Sequence, residues 1–188
     1  MQRRQQRVMA GWMRECALGL VLFALGLLRL GAAEGTTYTR VPLGKAVLSL
    51  PAGWTTPGAE VPLWLHLHGA TDVVEREFGT IGAPGVLVTL TLPGLSKVYA
   101  DHFAAPEVFG ALLREVETAL RSQSKEREWK LGRLVVSSFS AGFGGVRELM
   151  KQPEAFARIA ALVMADSIYS GYTGAAAEKQ VDPELMAG

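Results

Sequence analysis

Cysteine is almost missing from this 188-residue chain, which has only Cys16. A disulfide framework and a cysteine-based metal centre are therefore excluded. Histidine is nearly as scarce, with only His66, His68 and His102, and no Asp/Glu/His spacing reads as a metal-ligand set, so no metal and no cofactor are expected. Charge of one sign is lacking too: 19 basic against 18 acidic side chains leave a formal net of +1. Five of the basic residues (Arg3, Arg4, Arg7, Arg14, Arg29) fall within the first 33 positions, so the remainder is mildly acidic and offers no footprint for nucleic acid. Neither a low-complexity tract nor an internal repeat is present. With 49% hydrophobic and 20% charged residues, disorder and collagen-like structure are excluded and one globular domain is expected.

The basic N-terminus reads as an address. Four arginines precede an apolar run from Cys16 to Leu28, and Gly31-Ala32-Ala33 closes it with small residues before Glu34. That order is the pattern of a secretory signal. A run of about 13 residues rises about 20 Å, short of the roughly 30 Å hydrocarbon core. The expectation is a signal helix over residues 1–33, removed after Ala33, with export to the periplasm or medium and a mature domain over 34–188. An uncleaved anchor over residues 16–33 is the alternative, and would be the chain's one contact with a membrane.

Beyond it, strand and helix periods alternate. Residues 37–50 alternate loosely between Pro/Gly interruptions and read as one or two edge strands. Val61 to His68 places aliphatic residues at every second position and ends at Gly69; Val86 to Leu92 is β-branched and stops at Pro93-Gly94. From Pro106 to about Ser122 the spacing of Val108, Leu112, Leu113, Val116 and Leu120 is helical, and Lys125 to Lys130 is a charged connector. Leu134–Ser138 reads as a buried strand, about Gly142–Lys151 as a helix, Ile159–Ala165 as a further strand ending at Asp166, and the tail from Gly174 is weakly patterned. Such alternation predicts an α/β fold of three layers, a mostly parallel, doubly wound sheet covered on both faces.

Two short motifs carry chemistry. Ser138-Phe139-Ser140-Ala141-Gly142 lies between a strand and a helix, where a sharp turn needs small residues two places before and after a nucleophile. The following helix would present its N–H groups and dipole to developing negative charge at Ser140; a plain βα turn with a capping serine is the other reading. His68-Gly69-Ala70 ends another strand, and the Ala70 N–H would stand at the carboxyl edge where open α/β sheets bind ligands. Paired with the Ala141 N–H, it would supply two donors to an acyl oxyanion. A plain strand-ending turn is the other reading of Gly69.

With this order of elements, these motifs resemble the central part of the α/β-hydrolase fold over about residues 38–170, a partial version of that fold. Ser138 stands where the family usually has glycine. The resemblance implies a serine nucleophile at Ser140, oxyanion donors at Ala70 and Ala141, and an acid and then a histidine later in the chain. Asp166, at the end of a strand, is the candidate acid; a loop-organising role is its alternative. Ser167, Tyr169, Ser170 and Tyr172 follow it and could line a pocket. No histidine follows Ser140. His68 belongs to the oxyanion strand, His66 shares its face, and His102 reads as a surface-loop residue. At about 30 residues per βα unit, eight strands want on the order of 240 residues, so the expectation is a truncated hydrolase whose apolar Ile159–Ala165 edge favours aggregation.

The functional expectation is an exported serine hydrolase cleaving a small carboxylic ester through an acyl-enzyme on Ser140, with the chain as it stands an inactive fragment for want of its base. Two rivals remain at this point: a non-catalytic hydrolase-like binding protein, and a flavodoxin-like small-ligand module.

Overall fold

The computed structural model describes residues 36–55, 58–124, 128–167, 172–173 and 180–181. The expected signal helix and most of the tail lie outside the described residues. Among those described, no helix is long and apolar enough to cross a membrane.

The fold is α/β. A hairpin, β1 (Tyr38–Leu43) and β2 (Ala46–Pro51), turns tightly at Gly44, whose φ of 55° suits glycine. It is followed by β3 (Glu60–Leu67), α1 (Thr71–Thr80), β4 (Val86–Leu90), α2 (Ser96–Phe103) and α3 (Pro106–Gln123). Then come β5 (Lys130–Phe139), a 3-10 turn (Ser140–Gly142), α4 (Phe143–Met150), α5 (Pro153–Arg158) and β6 (Ile159–Ala165). Tyr172–Thr173 and Gln180–Val181 pair as the two-residue strands β7 and β8. The main sheet has six strands in the order β1-β2-β4-β3-β5-β6. It is mixed: β3, β4, β5 and β6 run parallel, while β2 lies antiparallel to both β1 and β4. The expected mostly parallel sheet is thus corrected at one flank, because a two-residue hairpin turn can join only antiparallel neighbours.

One face of the sheet carries the core. Val61, Leu63, Leu65 and Leu67 of β3 are buried beside Val86, Val88 and Leu90 of β4 and Leu48 and Leu50 of β2. Onto them α3 lays Phe109, Leu113, Val116 and Leu120, α2 lays Tyr99 and Phe103, and α4 lays Val146 and Leu149. Each fully buried leucine contributes about 1.5–3 kcal/mol over leaving it in water. The opposite face carries α1, whose Phe78 meets Trp64 edge-on at 5.6 Å. Glu75 of α1 is buried and receives hydrogen bonds from Arg40 of β1 at 2.6 and 2.9 Å and from Ser49 of β2 at 2.6 Å.

This division follows from connection handedness. The β3–α1–β4 crossover moves one way along the sheet, whereas the connections to β5 and on to β6 move the other way; right-handed crossovers then place their helices on opposite faces. Coverage of both faces is therefore uneven. Among the described residues nothing covers the α1 face over β6: Val163 on that face is 49% exposed and Leu162 on the other is 37% exposed.

Candidate active site

The reversal of direction falls between β3 and β5, two neighbouring parallel strands whose onward connections diverge. Open α/β sheets form their ligand crevice at the carboxyl ends of such strands. Residues 68–70 follow β3 and residues 140–142 follow β5, so both motifs singled out in the sequence border this crevice.

The strand ends are flush. Leu67 pairs with Ser138 and with Leu90, and Phe139 pairs with Ala165. Immediately beyond, three non-glycine residues take left-handed backbone conformations: His68 at φ 69°, Ser140 at φ 44° and Asp166 at φ 46°. Among the described residues they are the only non-glycine positions of this kind, and they stand on three adjacent strands at one edge of the sheet. Each costs on the order of 1–3 kcal/mol, so packing elsewhere must hold them.

At the turn after β5 the holding contact is visible. A Cβ on Gly142 would lie 2.2 Å from the Leu67 carbonyl oxygen, so only glycine lets the start of the helical turn press against the end of β3. Ser140 opens that turn and is half-buried, while Ala141 and Gly142 beneath it are buried. The first N–H groups of a helical turn have no partner within it, which leaves the Ala141 N–H for a ligand. Across the crevice, the Ala70 carbonyl accepts from Val73 and Val74, opening α1, and Ala70 gives its own N–H to no backbone carbonyl among the described residues. Two such donors, one from each loop, suit an oxygen on which negative charge develops.

The 68–70 loop is tied on three sides. His66 Nε2 donates to the His68 carbonyl at 2.9 Å, and Thr91 Oγ1 donates to the Gly69 carbonyl at 2.5 Å. His68 Nδ1 and the Tyr99 hydroxyl lie 2.9 Å apart, and Tyr99 also accepts from the Leu92 N–H at 2.8 Å. The His68 ring stacks on Phe139 at 6.3 Å between centroids. Burial pushes the Tyr99 hydroxyl pKa above its usual 10.0, against the bond from Leu92, so it stays protonated. Burial is also the main cause lowering the His66 pKa below 6.5; the neighbouring His68 adds to this and the bond to the His68 carbonyl opposes it.

The structure thus brings Ser140, Ala141, Gly142, His68, Gly69 and Ala70 to the carboxyl ends of two neighbouring parallel strands, with Asp166 at the end of the strand beside Ser140. Ser138 lies under the turn, buried, its hydroxyl without a partner among the described residues. Ser167 is buried and donates to the Ser140 carbonyl at 3.3 Å. No histidine is brought within hydrogen-bond distance of the Ser140 hydroxyl. His66 and His68 are engaged as described, and His102, expected on a loop, lies on α2. It lines a cleft of about 710 Å³ with Lys45, Thr91, Leu92, Pro93, Val98 and Asp101. Its pKa is lowered by burial and then by Lys45. Tyr169, Ser170 and the side chain of Tyr172 lie outside what is described. Sequence reasoning missed Tyr99, Thr91 and Ser137, whose hydroxyls act through contacts that only the tertiary fold creates.

No family model matches the chain, and no curated protein is similar enough to match. Among solved structures, a serine-to-alanine mutant of the feruloyl esterase module from Clostridium thermocellum complexed with sinapinate matches with a TM-score of 0.24 at 9% identity. That match covers 71% of this chain and 82% of the module.

Proposed function

We propose that the protein is an exported serine hydrolase of partial α/β-hydrolase architecture, acting on a small carboxylic ester through an acyl-enzyme. The observation that carries this reading is Ser140 at φ 44° on a strand-to-helix turn at the sheet's point of reversal, facing a second loop whose Ala70 N–H is given to no backbone carbonyl among the described residues. In this reading the Ser140 oxygen attacks the ester carbonyl carbon while its proton passes to a solvent water, which later returns it to the departing alcohol, and the Ala70 and Ala141 N–H groups hold the oxyanion. The C–O bond then breaks to release the alcohol, which takes up the proton, and water cleaves the acyl-serine. In this reading Asp166, at the end of β6, serves as the acid of the triad. Residues 1–33 direct export, and a purified exported chain is expected to begin at Glu34 by N-terminal sequencing.

A fluorophosphonate probe tests the core of the reading. Covalent labelling is expected at Ser140 of the complete protein, and to be absent in Ser140→Ala. Equal labelling of both proteins overturns it. One observation favours a second reading, a ligand-binding protein on the same frame: none of the three histidines is placed to accept the Ser140 proton. That reading predicts saturable binding of an ester with neither labelling nor turnover.

A further inference from the structure

We infer that His66 is a positioning residue that sets the Ala70 N–H against Ser140 by bridging β5 to the 68–70 loop; this rests on the hydrolase reading above. The His68 carbonyl can only accept, so the 2.9 Å contact fixes the proton of His66 on Nε2. Nδ1 is then an acceptor, and the Ser137 hydroxyl donates to it at 2.8 Å. Ser137 belongs to β5, the strand that carries Ser140 at its end, and pairs with His66 in the sheet. One imidazole therefore connects the strand bearing the nucleophile to the loop bearing the second oxyanion donor.

The loop needs such a tie. His68 and Gly69 have φ values of 69° and 143°, so the peptide leading to Ala70 leaves the strand in a conformation the chain would not hold unaided. The His66 ring packs directly beneath it, since a Cβ on Gly69 would stand 3.3 Å from Nε2. Releasing the His68 carbonyl frees the His68–Gly69 peptide to rotate; the next peptide, which carries the Ala70 N–H, keeps the Thr91 bond to its Gly69 carbonyl but loses the fixed neighbour that sets its direction. Lowered by burial, the His66 pKa keeps the imidazole neutral near pH 7, in the tautomer the bridge requires.

The experiment compares His66→Phe, His66→Gln and Ser137→Ala with the unsubstituted protein, full chain throughout. Two quantities are read: amide hydrogen exchange at His68, whose N–H donates to the Leu90 carbonyl at 3.0 Å at the exit of β3, and the rate of Ser140 labelling by a fluorophosphonate. His66→Phe is expected to speed exchange at this amide about tenfold while strand interiors stay protected. It should also slow labelling roughly 10- to 100-fold. His66→Gln, which keeps a donor for the His68 carbonyl, should recover part of both, and Ser137→Ala should show a smaller change in the same direction. If His66→Phe fails to fold, the Ser137→Ala comparison decides between the same outcomes. Unchanged exchange overturns the bridge whatever labelling does; faster exchange with unchanged labelling overturns its link to the nucleophile. An unsubstituted protein that is never labelled at Ser140 overturns the hydrolase reading and this positioning role with it.

Discussion

A single hydroxyl shows how tightly the Ser140 turn is packed. Ser138 is only 1% exposed and its Oγ has no hydrogen-bond partner among the described residues, the cost of placing an oxygen where packing has room for a small side chain. Leaving such a group unpaired costs about 1–3 kcal/mol. Ser138→Ala is therefore expected to raise stability by about 1 kcal/mol, read as a higher urea midpoint at an unchanged slope. Gly142→Ala should act the opposite way. Its new Cβ meets a backbone oxygen that cannot swing aside, so a loss of about 3 kcal/mol is expected, along with slower probe labelling at Ser140. At this scale the sequence was informative. The need for small residues around Ser140 and the sharp exit at Gly69 are local properties, and both were readable. The partners of His66, His68 and Gly69 were not, because Ser137, Tyr99 and Thr91 reach them only through strand register and helix packing.

Elements were legible in proportion to how apolar their inner faces are. The alternation in β3 and the helical spacing of α3 predicted both closely. α1 escaped notice because its buried face consists of Glu75 and Phe78, a carboxylate and one aromatic, which give no apolar period. α2 buries only Tyr99 and Phe103 in eight residues, too short a run for a stripe to show. α1 is held to the β1–β2 hairpin by the Arg40–Glu75–Ser49 cluster, and this has a consequence for acid stability. Burial tends to raise the Glu75 pKa, but the hydrogen bonds from Arg40 and Ser49 and the Arg40 charge outweigh it, so the pKa falls below its ordinary 4.5. A carboxylate lowered on folding stabilises fully above that ordinary value, and the contribution disappears as pH drops through the lower folded value. Glu75→Gln is expected to melt at lower temperature at pH 7 and to lose less stability than the parent between roughly pH 5 and pH 3. Parallel pH–melting profiles for the two proteins would contradict this.

At the scale of the whole sheet, β6 is an edge strand that is largely exposed among the described residues. β6 holds no charged residue or proline to discourage pairing with another chain, and Leu162 and Val163 are exposed on its two faces. Val163→Lys is expected to leave stability within about 0.5 kcal/mol and to lower the aggregated fraction measured by light scattering at high concentration. Aggregation unchanged by the lysine would place the sticky surface elsewhere. The class of fold could be read from the alternation of periods; the antiparallel flank and the uneven helix cover could not, since both arise from the order in which strands are laid down. That order also fixes when the crevice comes into being. β3 and β5 are sheet neighbours, yet Leu65 and its partner Val136 are separated by α1, β4, α2 and α3 along the chain. Contacts spanning so much sequence are slow to form because loop closure must come first. A chain that has gathered only β1 to β4 holds the 68–70 loop and no serine opposite it, so on the hydrolase reading labelling of Ser140 waits until β5 has joined β3.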